Sequence, residues 1–222
     1  MGHLAFDIAH LLAGGLVLLS LLMLYQDRMP ALIRIFALHA IVLSLSVSWQ
    51  AYTQNAPHLY LTAAIALLFK AIVIPVALQQ MVVKLGVHRE IEVVGGVGFT
   101  MLFAMALVAL SLAVMLPATA TATADPLARE DLAFALSVVL LGLLMMVTRR
   151  NAVTQIIGFM SLENGLILAA AGAKGMPLVV EISVAFSVLV AFIVIGVFLF
   201  RIRERFDSVD VGVLEHGRGE RP

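Results

Sequence analysis

Four ionisable side chains, His39, Lys70, Glu163 and Glu181, lie inside long apolar runs of this 222-residue sequence. A charge at the centre of a membrane helix costs at least about 2.5–3.5 kcal/mol on insertion scales, so such a residue is a functional candidate by default. The chemistry these groups suit is proton movement, because a proton crosses hydrocarbon only by hopping between titratable groups and ordered waters. A carboxyl and an ammonium buried side by side change each other's proton affinity. A Glu–Lys pair at one depth can therefore be switched by small displacements. The alternative is a static ion pair between Lys70 and Glu163 that only fixes helix register.

Depth follows from position in each run at about 1.5 Å per residue. On that count His39, Lys70 and Glu163 each fall within about two residues, roughly 3 Å, of their run centres, which places them in one slab of membrane. Glu181 falls about 10 Å nearer the outer face on the last run, and Ser187 stands near that run's centre. Ala63, Ala66, Lys70 and Ala77 share a face at helical spacing, and small residues mark close helix contact in membranes. Lys70 is thus expected to point at protein. Gly158, Ser161, Gly165, Ala169 and Gly172 form a second small-residue stripe, with Glu163 almost opposite it. Pro75 lacks the N–H that would reach the Ala71 carbonyl, so a kink there would admit water beside the lysine. Asp7 and His10 share a face near the start of the first run and read as an interfacial polar pair. His39 suits either a backbone carbonyl or a relay role. Gly95, Gly96 and Gly98 read as allowing close helix packing.

The elements that must carry these residues are membrane spans. About 20 mostly apolar residues cross a bilayer, and seven such runs occur at 4–25, 31–51, 59–80, 93–116, 130–148, 152–172 and 177–200. Cytoplasmic loops carry the excess of Lys and Arg. With the N-terminus outside, eleven of the loop and tail basic residues fall inside, and only Arg129 and Lys174 fall outside. The prediction is an all-α polytopic membrane protein of about seven helices, N-out and C-in. Residues 1–117 would form a four-helix part, 118–126 a Thr/Ala linker, 127–206 a three-helix part and 207–222 a cytoplasmic tail. The N-terminus lacks the basic segment of a secretory signal, so the first run is expected to be a retained helix.

Composition agrees with this reading. Hydrophobic residues make up 62% and charged ones 13%, against roughly 45–50% and about 25% in soluble domains; mean hydropathy is +1.08. Zero formal net charge argues against a nucleic-acid partner. Absence of cysteine excludes disulfides, thiolate zinc sites and cysteine-held iron–sulfur clusters. The sequence offers no cofactor or metal ligand set, so neither is expected.

The C-terminal part carries a recognisable pattern. Arg149-Arg150-Asn151, Gln155-Ile156-Ile157-Gly158-Phe159 and Glu163-Asn164-Gly165 resemble the second helix of the complex I subunit K family. Met176-Pro177-Leu178-Val179-Val180-Glu181, Val188-Leu189-Val190 and the closing Phe200 to Asp207 are similar to hydrogenase-4 component E, a longer homologue with extra N-terminal helices. The segment Lys70-Ala71-Ile72-Val73-Ile74-Pro75 also resembles that longer family. The resemblance implies a non-redox subunit in the membrane arm of a group 4 hydrogenase or complex I-like assembly, in a bacterial or archaeal plasma membrane. Its partners would be lipid and other membrane subunits, including antiporter-like ones. Lys70, Glu163, Glu181 and His39 would line a proton path, with Gln155, Asn164 and Ser187 as polar support. Two departures stand out. The glutamate here comes about one turn later than in subunit K, and the family's second carboxylate would fall near Ser187, where this chain has no acid. Two other readings remain at this stage: a structural tether without a proton path, and an autonomous secondary transporter.

Overall fold

The computed structural model describes residues 2–84, 95–118, 126–172 and the positions 189, 190, 193, 196 and 197. Every regular element among them is a helix. These are α1 (Gly2–Tyr25), α2 (Met29–Gln54), α3 (His58–Ile65), a π-helical segment (Ala66–Val73), α4 (Ile74–Lys84), α5 (Val97–Ala118), α6 (Pro126–Thr148) and α7 (Ala152–Gly172). The α3, π and α4 pieces run on as one rod. Six rods are long and apolar enough to cross a membrane. The seventh predicted span, with Glu181 and Ser187, lies outside the described residues, apart from five helical positions between 189 and 197.

Local signals explain where the helices begin and end. Pro30 stands in the first turn of α2, where a missing N–H costs nothing. At the other end Asn55 adopts φ 52°, a left-handed conformation that ends α2, and the Ala56 N–H reaches back to the Ala51 carbonyl at 3.0 Å. Pro57 then prevents continuation. Between α6 and α7 the Asn151 side chain accepts a hydrogen bond from the Val153 N–H at 2.8 Å and caps the new helix. Gly95 and Gly96 take positive φ values of 81° and 83° ahead of α5. A Cβ on Gly96 or Gly98 would meet nothing within 4 Å. Instead of the close packing expected at this cluster, Gly95 and Gly96 turn the backbone into α5 through a region that side chains avoid.

In lipid, leucine gains little by leaving acyl chains for protein, so close contact and polar bonds decide how helices associate. The tightest contact is between α6 and α7. A Cβ on Gly142 would lie 2.5 Å from the Leu162 nitrogen, and one on Gly165 would lie 2.9 Å from the Ala135 carbonyl oxygen. The Gly158–Gly165 stripe thus faces α6, which turns Glu163 toward α2 and the π segment. Helix α7 is the most enclosed span, with 61% of its apolar window buried, whereas α5 has 17% and shows most of its apolar surface outward. Helix α1 packs on α2, α5 and α6, and α2 packs on α3, the π segment, α4 and α7.

Arg149 ties two turns together. Its Nη2 donates to the carbonyls of Leu24 at 2.6 Å and Met23 at 3.4 Å, oxygens that α1 leaves open at its C-terminus, and to that of Gln26 just beyond at 2.9 Å. The side chain is buried. Burial pulls its pKa below the ordinary value, and the charge of nearby Asp27 pulls it back up.

Candidate functional site

The centre of the bundle holds a continuous chain of buried polar side chains from four rods. Ser20 comes from α1, His39 from α2, Lys70 from the π segment, and Glu163 and Asn164 from α7. Relative exposure is 2% for Ser20, 0% for His39, Lys70 and Asn164, and 3% for Glu163. Each residue is delivered by a face whose other members are apolar or small. Phe36, Ala40 and Leu43 flank His39, while Ala63, Ala66 and Ala77 share the buried side of the Lys70 rod. Lys70 lies four residues into the π segment, where the Ile74 N–H reaches back five residues to the Phe69 carbonyl. Short π stretches are uncommon and concentrate at functional sites. Pro75 occupies the position whose N–H would serve Ala71 in an α-ladder or Lys70 in a π-ladder. One carbonyl beside the lysine therefore lacks its helical donor.

The hydrogen bonds have one consistent order. Lysine ammonium can only donate, so the atom 2.7 Å from Lys70 Nζ is the Asn164 oxygen. The Asn164 amide nitrogen then faces His39 Nδ1 at 2.9 Å and must donate to it. That leaves the His39 proton on Nε2, 3.0 Å from the Ser20 hydroxyl oxygen. Ser20 in turn donates to the Leu16 carbonyl at 2.9 Å. Every donor thus points from Lys70 toward α1. Beside this chain, Lys70 Nζ lies 3.2 Å from Glu163 Oε2, a buried ion pair.

This order has a chemical consequence. A doubly protonated His39 would present an N–H to the Asn164 amide. If the amide turned to accept it, the NH₂ group would face the Lys70 ammonium. Protonation at His39 and the ammonium at Lys70 therefore exclude each other through one amide. An amide does not readily pass a proton on, so Asn164 couples the two groups electrostatically, and the proton-exchanging pair is Lys70 with Glu163.

Of the residues singled out from sequence, His39, Lys70, Glu163 and Asn164 meet. Gln155 does not join them. It is eight residues from Glu163, about 12 Å along the helix, and its amide donates to the Arg149 carbonyl at 3.0 Å at the end of α6. Glu181 and Ser187 lie outside the described residues. Asp7 is exposed, and His10 stacks on Phe6 and meets Phe134 edge-on. Ser20 was not anticipated; its signal is a lone hydroxyl in the run Leu16-Val17-Leu18-Leu19-Ser20-Leu21-Leu22. Asp131, at the mouth of α6, and Gln50 of α2 were also missed. Both are buried, and Gln50 Nε2 donates to Asp131 Oδ2 at 2.6 Å. Among the described residues no group of three or more His, Asp or Glu side chains is placed to hold a metal.

Six membrane-length helices among the described residues, with a buried chain of polar and charged side chains between them, define a multi-pass helical membrane protein. Over 208 residues the chain is 31% identical to uncharacterized protein Rv0085 of Mycobacterium tuberculosis (strain ATCC 25618 / H37Rv), covering 93% of this chain and 94% of that one. The chain belongs to the same family as that protein. No family model and no solved structure matches it.

Proposed function

We propose that this chain is a non-redox membrane-arm subunit of a group 4 hydrogenase or complex I-like assembly, coupling electron transfer elsewhere in the complex to proton movement. In this reading the chain has seven spans, N-out and C-in, in a bacterial or archaeal plasma membrane, and larger antiporter-like subunits cover part of its apolar surface. Lys70 and Glu163 exchange the proton, His39 and Asn164 set which of them is charged, and Glu181 extends the route outward.

The observation that carries the reading is the unbroken donor chain from Lys70 to Leu16 beside the Lys70–Glu163 pair. A donor chain that admits only two self-consistent proton arrangements is the kind of bistable element that coupling requires. The sequence resemblance supplies the assembly.

The test is a pair of substitutions in the native complex. Glu163→Gln keeps an oxygen acceptor for Lys70 but removes titration, so the complex is expected to assemble while proton-coupled turnover falls. In a structural tether the same change isolates a buried charge, which costs about 3–5 kcal/mol. Assembly would then fail, and Glu163→Gln with Lys70→Met would restore both assembly and coupling. Restored coupling in that double variant overturns the proposal.

A further inference from the structure

A second buried carboxyl lies at the opposite end of the bundle from Arg149. Asp131 of α6 is 2% exposed and accepts from Gln50 Nε2 at 2.6 Å. Gln54 Nε2 donates to Gln50 Oε1 at 2.8 Å and to the Ala171 carbonyl at 2.8 Å. The amides of α2 thus form a relay of donors whose last N–H lands on the carboxyl. Space for that carboxyl is made by Gly172 at the end of α7, where a Cβ would lie 3.3 Å from Asp131 Cβ and 3.5 Å from Oδ2.

This cluster shares a helix face with the central site. His39, Ser46 and Gln50 are seven and eleven residues apart on α2, near whole turns of an α-helix, and all three are buried. The face spans about 16 Å from His39 to Gln50 at 1.5 Å per residue. Among the described side chains, the titratable groups on elements packed near Asp131 are His10 and Asp7 of α1. Facing Asp131, α2 offers the amides of Gln50 and Gln54, and α7 offers Gly172 and the Ala171 carbonyl.

We infer that Asp131 is a second proton-exchanging carboxyl, held by Gln50 and loaded at the bundle end where α2 and α7 terminate. Its ligand is a proton, exchanged with water at that end, and the Gln50 amide holds the carboxyl without itself carrying the proton. A mere tie between helices would be served by asparagine with the same hydrogen bonds, without the cost of a carboxylate in a membrane span. The place of Asp131 in the route rests on the function proposed above; its ability to exchange a proton does not.

Infrared titration of the full chain in lipid nanodiscs tests the exchange, scanning about pH 4 to 9 around the carboxyl range. One component of the protonated-carboxyl stretch that grows as pH falls should be missing from Asp131→Asn and persist in Glu163→Gln. Gln50→Leu should move its midpoint by at least about one pH unit, a tenfold change in proton affinity. In native membranes Asp131→Asn should lower proton-coupled turnover at least about tenfold, with Asp131→Glu retaining most of it. If Asp131→Asn fails to accumulate, Asp131→Glu must shift the band, and an unchanged spectrum overturns the inference. A wild-type titration identical to that of Asp131→Asn overturns it as well. Wild-type coupling in Asp131→Asn alongside loss in Glu163→Gln removes Asp131 from the route, whereas wild-type coupling in Glu163→Gln removes the central site itself.

Discussion

Replacing Asn164 by aspartate keeps the shape of the side chain and reverses one of its two hydrogen-bonding roles. In the native arrangement Asn164 accepts from Lys70 at 2.7 Å and donates to His39 Nδ1 at 2.9 Å. A carboxylate only accepts. Lys70 keeps its partner and gains a second negative charge, but His39 Nδ1 now faces an oxygen. The ring recovers only with a proton on Nδ1. If that proton comes from Nε2, the Ser20 hydroxyl must turn from Leu16 to the ring. The hydrogen-bond changes nearly balance: a hydrogen bond to a charged group contributes about 1.5–3 kcal/mol and a neutral one about 0.5–1.5. A carboxylate at this depth adds a cost of about 2.5–3.5 kcal/mol, offset in part by the Lys70 ammonium, so the aspartate variant should lose about 2–4 kcal/mol of stability. Asn164→Leu is the contrasting perturbation. It removes the Lys70 acceptor and the His39 donor together, and two unsatisfied buried groups at about 1–3 kcal/mol each give a loss of about 2–6 kcal/mol.

The assay is nitrogen-15 NMR of histidine-labelled protein in nanodiscs, with His39 assigned among the six histidines by its loss in His39→Gln. Wild type is expected to carry its His39 proton on Nε2 alone, and Asn164→Asp to carry one on Nδ1. A wild-type ring protonated at Nδ1, or an aspartate variant with bare Nδ1, refutes the donor order and the interlock built on it.

Three further outcomes are expected. Gly142→Ala forces a methyl to within 2.5 Å of the Leu162 backbone, and should cost about 1–3 kcal/mol as overpacking, read as a lower melting temperature in detergent, while Gly14→Ala, with nothing within 4 Å, should not. Arg149→Met removes the cap on two α1 carbonyls and on that of Gln26 just beyond; faster hydrogen exchange at the α1–α2 turn should report it, and Arg149→Lys should rescue only partly because an ammonium lacks the planar fork. For orientation, a cytoplasm-active reporter fused after Arg205 should give signal and one at Thr121 should not; the reverse pattern defeats N-out, C-in.

Depth and facing were legible in the residues because both are properties of single helices. Counting along each run set His39, Lys70 and Glu163 at one level, and the alanines spaced around Lys70 marked its face as a contact. The Gly158–Gly165 stripe marked a contact face in the same way, and the structure puts α6 against it. The partners across helices were not legible, since pairing depends on the azimuth of one rod relative to another. Asn164 was therefore noticed through family resemblance, and its place between Lys70 and His39 came only from the packed structure. Arg149 was read as loop charge and Asp131 drew no reading, because both stand at run ends, yet both side chains are buried in the bundle. The π segment had a single sequence trace, Pro75, which signals a lost hydrogen bond without saying how the ladder rearranges.

A static tether would use the Lys70–Glu163 pair to fix helix register. Apolar burial discriminates poorly between helix registers in lipid, so a membrane bundle needs specific contacts to fix them. Here those contacts exist without the central charges. Arg149 locks the α1 end to the α6–α7 turn, and Gln54 bonds α2 to the Ala171 carbonyl of α7 at the opposite end. Between them, Gly142, Gly158 and Gly165 fix α6 against α7 by backbone contact. Register is thus set for α1, α2, α6 and α7, and the Ser44 hydroxyl of α2 donates to the Ala63 carbonyl at 2.8 Å to tie in the rod that carries Lys70. A lysine and a glutamate at the costliest depth add little to that task, and an apolar pair of similar volume would often serve stability equally well. What an apolar pair cannot do is hold a proton beside an amide whose orientation depends on where that proton is.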